Sequence, residues 1–551
     1  MKKMVISIFT VLFMLFSTVS VPALASSTTK DSNSDGIGRV NISGIPLPSD
    51  VKQLISGTYT YSGKVLISYK TANDVNTTDF YNLATMNDDG TGFKPIFSGV
   101  ISAKAKANGI RFMPFQDNKR ILLGDYVLEC SPSIDNCTST KLVPVVYPAA
   151  IGNDPNVTKR WSEIIIAPDN NHMAWTTLRS DIGATSCVGT LKRGDDSYTV
   201  ENSKVISTIN NFQDDPKNPG CIIPNPMRAG EVKQFVHGGS AITSVGQKDL
   251  STTDSIVQDL NSNNITQITY TPGYDETTIF SPDEHLGMVM STRFSKNTDP
   301  AIFGIMPRPL GGKVLLDVQS LLYSYAVPGV RQSRQGNIGP VLVDINKSMN
   351  QAGYQGIDLN TDENWVYCSP MSWNSNGKSA MWIEEVRGNS SQRRLRRVDL
   401  LDYKPQKTVP IVATPDNIPG SEDLSALSSV NPNVQGKVVG KKSGYVNYTR
   451  KVSSSYSGQT EADYVNYSDD GVNFYNGYEK ISYNYAGESR YETNLKLTGK
   501  LQGEMNFRAT FSALSGGGPK LLFDTDTDGN PKSYGYATYN GVTLNIKDLL
   551  P

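Results

Sequence analysis

The sequence predicts an all-β protein: a β-propeller of about six blades, with seven the alternative, followed by a smaller antiparallel β-sandwich or barrel-like domain. Three observations carry this expectation. A hairpin pattern recurs along residues 45–410, in which an apolar run enters a turn and a half-buried strand leaves it, as in SEIIIAPDNNHMAWTTLRS from Ser162 to Ser180. Gly, Pro and Tyr are abundant and charged residues make up only 19%, which disfavours a helical assembly. Residues 437–551 carry apolar side chains at every second position over long runs, the period of a strand with one buried face. At 551 residues the chain exceeds one ordinary core, so two domains are expected.

The N-terminal stretch reads as a signal peptide over residues 1–25. Lys2 and Lys3 supply the positive region, Met4 to Val19 the apolar region, and Ala23-Leu24-Ala25 the small-residue cleavage site. Export to a periplasmic or extracellular location is therefore expected. No other stretch is long and apolar enough to span a bilayer, which argues against an integral membrane protein. A formal net charge of -1 supplies no positive field for a phosphate backbone, so nucleic acid is excluded as a partner. Residues 26–44 are polar, lack an apolar period and are expected to be a flexible lead. Among the five cysteines, Cys130 with Cys137 is the first candidate disulfide and Cys187 with Cys221 the second, leaving Cys368 as a buried small hydrophobe.

Blade by blade, the block from Val65 to Phe97 holds an apolar strand, a polar excursion, an alternating strand and an Asp-Asp-Gly turn. Inner turns follow in MPFQDNKRILLG at Met113, IAPDNNHMAW at Ile166, FSPDEHLGMV at Phe280 and MSWNSNGKSAMW at Met371. The spacing from Pro114 to Pro168 fits about twice between Pro168 and Pro282, which predicts a blade midway. Glu231 to Val245 lies there, with a degenerate Gly-Gly turn. A Pro/Gly-rich excursion, Tyr325 to Pro340, lengthens the last interval.

The run Met86-Asn87-Asp88-Asp89-Gly90-Thr91-Gly92, together with these Pro-Asp turns, resembles the repeats of TolB-like propellers over roughly residues 60–410. The resemblance implies the fold and leaves the function open. After Leu400 the pattern stops. Residues 411–436, rich in Pro, Ser and Asn, are expected to be a linker, and 437–551 form a Tyr-rich β domain that resembles no family. Its pairs Tyr483 with Tyr485 and Tyr534 with Tyr536 share a strand face, the arrangement of an aromatic platform or of cross-strand packing.

Chemistry is sparse. Oligogalacturonate lyases, which are similar to this chain at the blade motif, hold manganese through histidines. That resemblance makes His172, His237 and His285 a transition-metal candidate, against the reading that they are solvent-facing turn residues. Asp524, Asp526 and Asp528 match the first half of a calcium loop, but its twelfth position is Gly535 where a bidentate Glu is required, so a hairpin turn is preferred. The similar run Asp31 to Gly36 falls in the lead. No nucleophile elbow with partners and no phosphate-binding loop occurs. The basic run Arg393 to Arg397 reads as an exposed outer strand.

The inner strands converge on the propeller axis, so their polar residues are the candidate ligand contacts: Arg111, Trp161, Glu163, Lys233, Gln234, Glu276, Thr278, Trp365 and Tyr367. The expected function is a non-catalytic binding or scaffold role, with the funnel contacting an envelope or extracellular protein segment or glycan. A polysaccharide lyase is the alternative. No cofactor is expected, calcium being the one candidate.

Overall fold

The computed structural model describes residues 27–30, 36–101, 112–148, 157–158, 163–179, 181–226, 230–246, 252–454, 456–514 and 518–549. The described residues of 40–400 form the successive antiparallel blades of a β-propeller, two of which join through a parallel pairing of Ser139–Val146 with Tyr198–Val205. Each blade starts on a short inner strand: Gln53–Tyr59, Phe112–Pro114, Ile164–Ile166, Glu231–Val236, Asp275–Phe280 and Trp365–Trp373. The blade expected between Pro168 and Pro282 is present as Glu231–Val236 paired with Ala241–Gly246.

One turn chemistry repeats. In the Pro168 turn, Asn170 adopts φ 65° and Asp169 Oδ1 accepts from the backbone N–H groups of Asn171 and His172 at 2.9 and 3.1 Å. Asp117 caps Lys119 N–H at 2.8 Å, and Asn376 caps Lys378 N–H at 2.7 Å. An acceptor placed just before a left-handed residue, and bonded to the N–H two residues on, closes a tight hairpin and satisfies the orphaned donors. Buried Ile, Val, Leu, Met and Trp side chains fill the spaces between sheets, with Trp175 and Trp382 fully enclosed.

The expected flexible lead contributes structure instead. Val40–Ile45 pairs with Asn389–Leu400 from Val40↔Leu400 to Ile45↔Leu395, and Thr28–Lys30 adds outside it. The N-terminal strand thus completes the sheet begun by Trp365–Trp373 and closes the ring. The basic run is consequently not an outer edge. Arg393 pairs with Glu385 at 3.2 Å, Arg394 with Glu384 at 2.7 Å and Arg397 with Asp88 at 2.8 Å, so its charge is neutralised within the fold.

The C-terminal part is a single eight-stranded antiparallel meander from Val434–Val439 to Val542–Asn545, each strand paired with the next. A sandwich or barrel was expected, but the layer covering this sheet is not a second sheet. It comes from residues 292–340, inserted between the propeller strands Leu286–Ser291 and Val341–Asp344. The first part of the Pro/Gly-rich excursion, to Gln332, lies in the helix Gln319–Gln332, which contains Pro328. Ile302, Phe303, Leu315 and Leu321 of the insertion share one core with Tyr448, Tyr491, Phe507 and Phe511 of the sheet. Arg308 and Glu479, both fully buried, pair at 2.9 Å across this seam, and Arg450 pairs with Asp317 at 2.6 Å. Tyr483 and Tyr485, 5.2 Å apart, pack on this core rather than forming an open platform.

The expected linker is a strap laid over the turns of the propeller. Val409 N–H donates to Pro282 O at 3.0 Å, Val412 N–H to Gly238 O at 3.0 Å, and Thr414 N–H to Asp169 Oδ2 at 3.1 Å. Gly238, at φ 69°, permits this approach, because a Cβ there would lie 2.0 Å from Pro410 O.

Candidate functional site

The inner strands bring one charged cluster together. Lys233 Nζ lies 3.0 Å from Glu276 Oε1, 3.0 Å from Glu231 Oε2 and 3.8 Å from Glu163 Oε1, and the Lys233 side chain is 3% exposed. The Tyr274 hydroxyl donates to Glu276 Oε2 at 2.9 Å. Burial, and then the Glu276 carboxylate, hold the Tyr274 phenol well above the ordinary tyrosine range. The local cause is a β-bulge in each first strand, between Val232 and Gln234 and between Asp275 and Thr278. A bulge breaks the two-residue alternation and re-aims side chains, and here Lys233 and Glu276 are the residues re-aimed. The same irregularity falls between Leu54 and Ser56 and between Cys368 and Met371, so it recurs around the ring.

The inserted helix lies over this cluster. Tyr323 sits 6.4 Å from Tyr274, and burial followed by the Glu276 charge raises its pKa. Tyr323 is nevertheless 37% exposed, so solvent reaches the cluster beside it. One end of the insertion meets the blade of Ile164–Ile166, with Leu316 against Gly183, and Lys313 Nζ donates to Asn225 O at 2.6 Å. The other end meets the blade of Trp365–Trp373, where Arg331 Nε donates to Tyr367 O at 2.9 Å. The insertion therefore crosses from one side of the propeller to another over the starts of the inner strands.

Of the residues singled out in the sequence, Glu163, Lys233 and Glu276 are brought together. Gln234 turns away: its amide donates to Phe280 O at 3.3 Å and accepts from Phe280 N–H at 2.7 Å, clamping adjacent blades. Thr278 is buried and bonded to Ser255 Oγ at 2.5 Å. Tyr367 belongs to the core, and the indole of Trp365 stacks under Arg394 at 4.1 Å. Arg111, Trp161 and part of the Asp31 to Gly36 run lie outside the described residues, as does the expected signal peptide. Glu231, Tyr274, Tyr323 and Arg331 were missed. Glu231 stands two residues before Lys233 on an inner strand and could have been found by the same reasoning, whereas Tyr323 and Arg331 come from the unforeseen helix.

The histidines do not assemble a metal site, and among the described residues no group of three or more His, Cys, Asp or Glu side chains is arranged to hold an ion. His172 is a buried residue rather than a solvent-facing one. Its Nδ1 is 2.7 Å from Asp169 and its Nε2 3.1 Å from Asp416 of the strap. Burial disfavours the charged ring, but these two carboxylates outweigh it and raise the pKa. His237 is half exposed, 3.7 Å from Glu284, while His285 N–H bonds Asp283 in its turn. Asp526 accepts the N–H groups of Asp528 and Asn530, and Asp524 pairs with Lys532 at 2.9 Å, so the calcium candidate is a hairpin turn. All five cysteines are thiols. Cys130 and Cys137 adjoin within one core, and burial followed by the neighbouring Cys137 raises the Cys130 thiol, while Cys187 is buried among Trp175 and Val205. Among the described residues no helix is long and apolar enough to cross a membrane.

No protein-family model matches the chain, and no curated protein matches it. Among solved structures it is similar to β-propellers. A TolB from Agrobacterium tumefaciens is 13% identical over 54% of this chain and 75% of that one, with a TM-score of 0.30. TolB from Acinetobacter baumannii is 10% identical over 64% of this chain and 65% of its own length, with a TM-score of 0.30. The propeller domain of the Trilobed protease from Pyrococcus furiosus is 9% identical over 71% of this chain and 94% of that one, with a TM-score of 0.31.

Proposed function

We propose that this chain is an exported, non-catalytic binding or scaffold protein whose six-bladed propeller contacts a protein segment or glycan of the envelope or extracellular space at the mouth of its channel. The observation that carries the reading is the Lys233 cluster, where carboxylates from three blades converge on one ammonium beneath Tyr274 and Tyr323. Lys233 is held between two carboxylates at 3.0 Å and is almost fully enclosed, which suits a fixed recognition surface better than a base that must reach a substrate proton. The carboxylates and phenols around it can accept from and donate to backbone amides, basic side chains or sugar hydroxyls.

The test is site-specific photo-crosslinking from position 323 in cells, with a glycan array run in parallel on the purified chain. Crosslinks or array binding that Lys233→Met and Glu276→Gln both abolish are expected. The reading fails if neither assay gives a product, or if the products survive both substitutions.

A further inference from the structure

Away from the channel, a hollow of about 250 Å³ lies where the hairpin formed by Phe212–Asp214 and Ile222–Pro224 leans on the first strand of the C-terminal sheet. Ile222 packs directly against Gly436 of that strand. The floor is apolar: the Phe212 ring sits 4.5 Å from that of Tyr448, with Ile209, Ile182 and Val430 beside it. The rim is made of amides, Asn210, Asn211 and Gln213 on one side and Asn431, Asn433 and Gln435 on the other. Asn431 Oδ1 accepts from Asn433 N–H at 3.0 Å and Asn433 Oδ1 from Val452 N–H at 2.8 Å. Those bonds leave the NH₂ donors of both amides for a ligand. Among the described residues the side chains of Asn211, Gln213 and Gln435 are used by no other part of the protein.

The charged groups nearby are already committed. Arg450 at the back gives its guanidinium to Asp317 at 2.6 Å, to Pro432 O at 2.7 Å and to Asp181 O at 2.9 Å. The remaining ionised group on the lining is Asp214, which repels an anion. A ligand for this hollow is therefore uncharged, rich in groups that both donate and accept, and apolar on the face it turns to Phe212. An amide side chain both donates and accepts, as a sugar hydroxyl does, and an aromatic ring packs against a C–H face. The volume lies just below the ~300–1,000 Å³ of sites for drug-sized molecules, which limits the occupant to about one ring.

We propose that this hollow is a carbohydrate site that takes a single pyranose ring of a neutral glycan, independently of the channel. The full chain would be titrated calorimetrically with cellotetraose, maltotetraose, mannotetraose and chitotetraose, with tetragalacturonate as the charged comparison. Binding of at least one neutral tetrasaccharide is expected, weakened at least tenfold in Asn211→Ala/Gln435→Ala at unchanged thermal stability. Gln213→Arg, which fills the mouth without touching the core, is expected to abolish it, and Lys233→Met to leave it intact. Failure of all four neutral sugars to bind overturns the proposal. So does binding that survives both rim variants, or a preference for tetragalacturonate. Loss of binding in Lys233→Met would place the sugar in the channel instead and equally overturn it.

Discussion

Replacing Arg308 by Met tests whether the inserted segment and the C-terminal sheet are one cooperative structure. Both partners of the Arg308–Glu479 pair have 0% exposed side chains, and Glu479 also accepts from the hydroxyls of Tyr464 at 3.0 Å and Tyr491 at 2.6 Å. Removing the guanidinium leaves a carboxylate enclosed with two neutral donors. Breaking a buried pair from one side costs about 3–5 kcal/mol, a large share of the ~5–15 kcal/mol that separates folded from unfolded domains. At ~2–3 kcal/mol per molar urea this is a midpoint shift of about 1–2.5 M. Arg308→Met/Glu479→Gln removes both charges and is expected to recover most of the loss, since neutral replacement of a buried pair is often nearly free. All five tryptophans precede residue 400, so tryptophan fluorescence follows the propeller, and hydrogen exchange of residues 434–545 follows the sheet. An Arg308→Met midpoint equal to wild type at pH 8, or a double variant as unstable as the single one, would refute the reasoning.

Three further expectations follow from named contacts. Asp299, pushed up to about 7 by burial and next by Asp275, binds its proton more tightly in the folded state. Its contribution is full below the ordinary carboxylate value and declines by on the order of 4 kcal/mol as pH rises to 7. Asp299→Asn should therefore gain on wild type in thermal melts from pH 5 to 8, and a constant gap would contradict this. The raised pKa of His172 means that its charged contacts with Asp169 and Asp416 contribute below about pH 6.5 and fade as pH rises through the folded value. Hydrogen exchange around Thr414, corrected for intrinsic rates, should be better protected at pH 6 than at pH 8, and His172→Gln should erase the difference. Gly238→Ala meets both a left-handed backbone and the Pro410 carbonyl, so a loss of about 1–3 kcal/mol and faster proteolysis of the strap are expected. Wild-type proteolysis rates would count against that close approach.

What was legible in the sequence was whatever is decided locally. The Pro-Asp turns could be read because Asp117 and Asp169 each complete a hairpin with atoms two residues away. The closing strand could not, because VNISGI at Val40–Ile45 finds its partner in Leu395 to Leu400, at the opposite end of the propeller. The helix Gln319–Gln332 was hidden by Pro328 and Gly329, which read locally as breakers, whereas burial of Leu321, Leu322 and Tyr325 against another part of the chain holds the helix through them. The cluster around Lys233 was partly legible. Glu163, Lys233 and Glu276, chosen as polar residues of the inner strands, meet in one cluster, but the same choice also took in Gln234 and Thr278. The bulges shift the register at those positions and turn both residues between blades.

The same long-range packing decides whether the propeller can stand alone. Ile302, Phe303, Leu310, Leu315 and Leu321 are each at most 2% exposed, and their cover is the sheet of residues 434–545. At about 1.5–3 kcal/mol for each side chain buried, uncovering five of them forfeits on the order of 10 kcal/mol, an upper bound because the unfolded chain already hides some apolar surface. It would also strand Arg308 and Asp317 without Glu479 and Arg450. A chain ended at residue 430 is thus expected to be insoluble or to bind a hydrophobic dye strongly. Deleting residues 301–332 together with the sheet should restore solubility while opening the channel over Lys233. A soluble, dye-negative chain of residues 26–430 would show that the insertion has its own fold, and would remove the reason for treating helix and sheet as a single cover over the channel.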